Sequence, residues 1–148
     1  MKALIFQIVI LVPESAKNQV LLLEKELNQY EYLSYWKFGF GSYKDILSIF
    51  QELNTDTALD STLRTSNVFL IDKERNQRGR FDDRDKSELK KNTPTYGLSS
   101  YNCLDVSVLK NKMSEDVRIL FTEYRQKRKG NFNSTSRRAD DLRGNEKN

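Results

Sequence analysis

The residues able to do chemistry in this chain are few. It has one cysteine, Cys103, and no histidine. That excludes zinc sites built from imidazole or thiolate. It also excludes a copper site drawing two soft ligands from one chain, a Ser-His-Asp or Cys-His arrangement, and an internal disulfide. Carboxylates remain for a hard cation, but no D-x-D-x-D-G loop occurs. Four acids, Asp72, Asp82, Asp83 and Asp85, crowd one stretch, interleaved with Arg75, Arg78, Arg80 and Arg84. The pattern reads as a solvated turn with local ion pairs, each worth under about 1 kcal/mol if exposed, ahead of a cation site. Cys103 lies in "SSYNCLDVS", just before a helical pattern. A helix N-terminus lowers a thiol's pKa, so Cys103 is a candidate reactive thiol, weighed against an incidental cysteine. No general base with a positioned partner can be named, which leaves a hydrolase without support.

The second feature is charge. The chain of 148 residues has net charge +4. Residues 125 to 148 hold eight cations (Arg125, Lys127, Arg128, Lys129, Arg137, Arg138, Arg143, Lys147) against three acids, a net +5 that leaves the body at −1. Such a segment attracts nucleic acid phosphates or anionic lipid weakly and without specificity. With no Gly-Arg repeat and one aromatic, Phe132, it reads first as a solvating tail.

These groups must be positioned by elements legible in the pattern. The run "ALIFQIVILV", Ala3 to Val12, is too short to span a bilayer, so no integral membrane span is expected. It has some signal-peptide character, but its β-branched residues and Gln7 favour a buried parallel strand ended by Pro13. Ser15 is placed to cap a helix reaching about Tyr30, with Val20, Leu23, Leu27 and Tyr30 on one face. "WKFGFG" at 36 to 41 reads as a strand in which Trp36 and Phe38 are core residues, not a platform for bases. Ser42 caps a helix over Tyr43 to Leu53 with Ile46, Ile49, Phe50 and Leu53 inward. Residues 54 to 66 are loop-like. "NVFLID" is a strand, "KERNQ" a turn, and "RGRFDD" pairs back as an antiparallel hairpin. Residues 84 to 104 look irregular. From Val106 to Arg128, Val106, Leu109, Met113, Val117, Leu120, Phe121 and Tyr124 make one helical stripe about 35 Å long. From Gly130 on, disorder is expected. The order argues an α/β layer fold with helices over a sheet, one domain over residues 1–129 and a basic tail over 130–148.

This order resembles the C-terminal two-thirds of a thioredoxin-like domain, and in detail the Sco/SenC family. "FQIVILVPES" is similar to that family's strand ending in Asp-Pro-Glu, with Val12 in place of Asp. "YWKFGFGSYKDI" resembles its Trp-x-Phe-x-x-Gly strand leading into a helix. "NVFLIDKERNQRGRFDD" resembles its Phe-Leu-Ile-Asp hairpin, with Asn76 in the Gly position and Gln77 in the Ile position. "NKMSEDVRILFTEYRQKRKG" is similar to the final helix and basic ending of members from the Bacteroidetes group.

The resemblance implies an incomplete thioredoxin-like fold: a central sheet, flanking helices and a long C-terminal helix. It implies a family context of copper delivery or thiol redox in respiratory oxidase assembly, outside the cytoplasm and tethered to a membrane. The family's paired cysteines have no counterpart here, and its metal histidine falls at about Arg64. Guanidinium has no lone pair to give copper. The expectation is therefore a truncated or degenerate member with no cofactor, inactive in copper binding and redox. The alternative is a non-catalytic interaction module, in which an open sheet edge or the basic tail recruits a partner.

Overall fold

The structure, a computed structural model, describes residues 6–130. It is a mixed α/β protein in two compact units. Of the described residues, 6–53 and 59–64 form the first unit, and 54–58 with 65–130 form the second.

In the first unit, β1 (Ile8–Pro13) pairs in parallel with β2 (Trp36–Gly41), with Ile10 opposite Phe38 and Pro13 opposite Gly41. Between them run a 3-10 turn (Glu14–Ala16) and α1 (Lys17–Leu27). Pro13 stands at the end of the strand, as its missing N–H requires. After β2, α2 (Tyr43–Gln51) packs against both strands. Its start is a capping box: Ser42 Oγ accepts from the Asp45 N–H, and Asp45 Oδ2 accepts from the Ser42 N–H, both at 3.2 Å.

Four expectations for this unit need correction. Ser15 caps nothing, because the chain passes through a 3-10 turn before α1 begins. Of the α1 face, only Val20 is buried; Leu23 and Leu27 are exposed and Tyr30 is 81% exposed. Strand β1 is not buried: one face is half-buried, alternating with exposed Val9 and Leu11. Trp36 and, in α2, Ile49 are exposed, whereas Ile46 is buried. Helical spacing put the right residues on one side, but burial needs an opposing element.

In the second unit, β3 (Asn67–Val68) pairs antiparallel with β6 (Tyr101–Asn102), and β4 (Leu70–Ile71) pairs antiparallel with β5 (Gln77–Arg78). The described strands thus form three two-stranded ladders in place of the single central sheet expected. The extended segment 67–71 makes its ladder bonds with β6 and β5 inside its own unit. A further antiparallel bridge joins Arg80 and Leu98 through two 2.8 Å bonds. It is tight: a Cβ on Gly79 would lie 2.2 Å from the Leu98 carbonyl oxygen.

The β4–β5 turn closes through the Arg75 N–H on the Asp72 carbonyl and the Asp72 N–H on the Asn76 carbonyl, each 3.0 Å. The left-handed residue is Arg75, at φ 66°, not Asn76. Asn76 instead donates its N–H to Asp72 Oδ1 at 2.8 Å. A three-residue hairpin loop wants its last residue left-handed, and that residue is Arg75. Gln77 is tolerated within the ladder because its amide bonds the Ser99 and Asn54 carbonyls, at 2.7 and 2.8 Å.

Residues 84 to 104 are more regular than expected. They hold α3 (Lys86–Lys90) and β6. Asp85 and Glu88 form a capping box on α3, a D-x-x-E signal present in the sequence. The final helix opens on Asp105, whose carboxylate accepts from the Ser107 and Val108 N–H groups. It winds through a wide π-helical stretch (Val108–Met113) into α4 (Ser114–Arg128). Its apolar stripe builds the core of this unit: Leu70, Tyr101 and Leu120 are buried, with Leu109, Met113, Val117 and Tyr124 packed around them. Val106, the first residue of the expected stripe, is exposed. The expected disorder from Gly130 lies, apart from Gly130 itself, outside the described residues.

Candidate functional site

In parallel α/β sheets, ligands sit beyond the carboxyl ends of the strands, where helix N-termini converge. The first unit has a cleft of about 640 Å³ at that place, a size usual for small-molecule sites. Leu11 to Pro13 bring the end of β1 to it, Glu14 to Ala16 the following turn, and Gly41 to Tyr43 the end of β2 and the start of α2. The fourth wall is the loop Ser61–Arg64.

That loop is folded around one carboxylate. Asp60 Oδ1 accepts from the Thr62 N–H at 2.8 Å, the Thr62 hydroxyl at 2.7 Å and the Arg64 N–H at 2.9 Å. The Arg64 N–H bond, then the Thr62 hydroxyl, hold the Asp60 carboxyl below its usual range. Leu63 takes φ 62° to close the loop, a conformation that disfavours a side chain. Arg64 is exposed, and the loop places it on the cleft wall.

The cleft does not fit copper. Its walls offer hydroxyls, the Glu14 carboxylate and the Arg64 guanidinium, with no thiolate, thioether or imidazole. Among the described residues, no group of three or more Cys, Asp or Glu side chains could hold a metal ion. Two of the hydroxyls have carboxylate partners that are already engaged: Ser42 Oγ donates to Asp45, which also caps α2, and the Thr62 hydroxyl to Asp60, which also accepts two backbone N–H groups.

Cys103 belongs to the second unit and is exposed in the turn before the final helix. The Asp105 carboxylate, not the thiol, takes up N–H groups at that helix start.

The Asp and Arg cluster around the hairpin makes some of the expected local pairs but is not simply a solvated turn. Its closest contacts include partners far along the chain, on the final helix. Arg78 Nη2 donates to both Glu123 oxygens at 2.7 and 2.8 Å, and Arg78 Nη1 lies 3.5 Å from Asp72. Arg80 Nε donates to both Asp116 oxygens at 2.9 and 3.0 Å, and Arg80 Nη2 to Glu115 at 2.8 Å. Asp83 pairs with Lys112 and Arg80. The Arg78–Asp72 and Arg80–Asp83 contacts, the Asp82–Arg84 pair at 2.6 Å and the cap Asp85 stay local, as expected. Asp72 and Glu123 are both buried. Burial works against the Arg80 charge, but the Asp116 and Glu115 bonds and charges outweigh it and push its pKa up. Tyr101, wholly buried, donates to Asp116 Oδ2 at 2.6 Å. Burial, then that bond, push its phenol far above its usual value. The array is structural: it fastens the hairpin to α4. Reasoning from sequence missed the helix acids, although Asp116 and Glu123 stand seven residues apart, two turns along the stripe that carries Leu120.

Arg125, Lys127, Arg128 and Lys129 are exposed at the end of α4 and just beyond. Arg137 and Arg138 lie outside the described residues. No helix among the described residues is long and apolar enough to cross a membrane.

The fold and cleft define a small mixed α/β protein. No family model, curated protein or solved structure matches the chain.

Proposed function

We propose that this chain is a Sco/SenC-like scaffold of thioredoxin type whose cleft carries neither copper nor thiol chemistry. The observation that supports this reading is the parallel β1–β2 pair with α2 against it, its strand ends facing a cleft. The motifs resembling the family's Asp-Pro-Glu strand end and its Trp-x-Phe strand lie on that frame. Arg64, at the family's histidine position, lines the same cleft. A cation there repels a metal ion and offers it no lone pair. The test is competition for Cu(I) between the purified chain and a chromophoric chelator. The chelator is expected to keep all of the copper; one tightly held equivalent on the protein sinks the proposal.

A second reading, a non-catalytic interaction module, draws on a different observation. Strands β1 and β2 pair only with each other among the described residues. Each therefore presents an edge able to accept a partner's strand. A Val9→Lys chain would then run smaller than the parent in size-exclusion chromatography. Identical elution of both as monomers removes this reading.

A further inference from the structure

The end of α4 and the β4–β5 turn, 51 residues apart in sequence, meet in the second unit. The Lys73 N–H donates to the Tyr124 hydroxyl at 2.8 Å. The Lys73 ammonium lies 4.8 Å from the centre of the Tyr124 ring, and the Lys127 ammonium 5.9 Å. Lys127 also reaches Glu74 at 3.5 Å. The two segments joined at that contact, residues 73–75 and 125–129, carry six cations, Lys73, Arg75, Arg125, Lys127, Arg128 and Lys129, with Glu74 the single acid among them. All six are exposed. We propose that this two-element patch binds the phosphate backbone of duplex nucleic acid without sequence preference.

The chemistry favours a polyphosphate over a lipid surface. A helix that lies on a membrane sinks an apolar face into the headgroups. The apolar face of α4 is already taken up by the core around Leu70 and Tyr101. The Tyr124 ring already has the two lysine ammoniums against it, which makes it a poor platform for stacking on single-stranded bases. Lysine and arginine side chains with no shaped pocket suit closely spaced duplex phosphates, where each contact releases a condensed counterion. The patch goes beyond the cleft-based proposal above and does not depend on it. It also differs from a basic tail acting alone, because two of its cations come from the hairpin turn.

The test uses the full chain and a fluorescent mixed-sequence DNA duplex of about 20 base pairs, titrated by anisotropy between about 50 and 200 mM salt. Binding is expected to weaken with salt at a log–log slope of about −5 for six phosphate contacts. Lys73→Gln with Arg75→Gly should flatten the slope by about 2 and weaken low-salt binding about tenfold. Arg125→Gln with Arg128→Gln should do the same, which guards against a folding defect in one variant. Unchanged circular dichroism certifies each fold. Glu74→Gln should tighten binding severalfold. Hairpin variants that bind like the parent overturn the patch, as does no binding at low salt or binding insensitive to salt. Stronger capture by phosphatidylserine vesicles than by the duplex overturns the nucleic acid assignment.

Discussion

Replacing Tyr101 by Phe removes one hydroxyl from a wholly buried side chain and leaves the ring in place. That hydroxyl donates to the Asp116 carboxylate at 2.6 Å. Hydrogen bonds to charged groups are worth about 1.5–3 kcal/mol. Asp116 keeps its two contacts with Arg80 Nε, so its charge is not stranded, and the lower half of that range applies. Tyr101→Phe should therefore cost about 2 kcal/mol at neutral pH. For a unit of this size that lowers the melting temperature by roughly 10 °C, read by circular dichroism. The pH dependence gives a second readout. An unfolded tyrosine titrates near 10.0, and in the fold burial and Asp116 raise Tyr101 well above that. A raised pKa means that the folded state holds the proton more tightly. The stabilisation is thus complete below pH 10 and is lost as pH climbs from there toward the folded value. The gap between parent and variant should narrow above pH 10. A gap that stays constant from neutral pH into that range, or a variant as stable as the parent at neutral pH, refutes the reasoning.

The bridge between Arg80 and Leu98 predicts that Gly79→Ala costs about 3 kcal/mol, since the new methyl meets a backbone oxygen at 2.2 Å; urea unfolding would measure it. Arg75→Gly should stabilise the chain by about 0.5–1 kcal/mol by relieving φ 66°, whereas Asn76→Gly should not; paired thermal melts separate the two. Ser42→Ala should destabilise α2 by about 1 kcal/mol through loss of the cap, seen as faster amide exchange over residues 43–51.

What the sequence disclosed follows from the range of the forces involved. Strand β2 and the start of α2 fall where "WKFGFGS" places them, because glycine and a capping serine act within a few residues. The final helix holds its expected span from residue 106 to 128 for the same reason: steps of three and four are a local rule. The α3 cap, Asp85 with Glu88, is equally local, set in a polar stretch that otherwise reads as irregular. What depended on distant partners was not legible. Leu23 and Tyr30 keep helical spacing yet stand exposed. Arg78 and Arg80 do meet the neighbouring Asp72 and Asp83, but their shorter bonds go to Glu123 and Asp116, 45 and 36 residues away. The cleft is partly legible: Arg64 was singled out by resemblance, but the Asp60 knot that presents it has no motif.

The π-helical stretch at Val108–Met113 amounts to one spare residue wound into the final helix. Leu109 before it and Leu120 and Tyr124 after it all reach the same core, so the surplus is absorbed without throwing either flank out of phase. Deleting Asn111, exposed within the stretch, should let the helix revert to ordinary winding with both flanks in place. The same excision at Arg118, past the wide turn, has no slack to draw on. It would swing the two sides of the cut about 100° apart and tear Leu120 or Leu109 from the core.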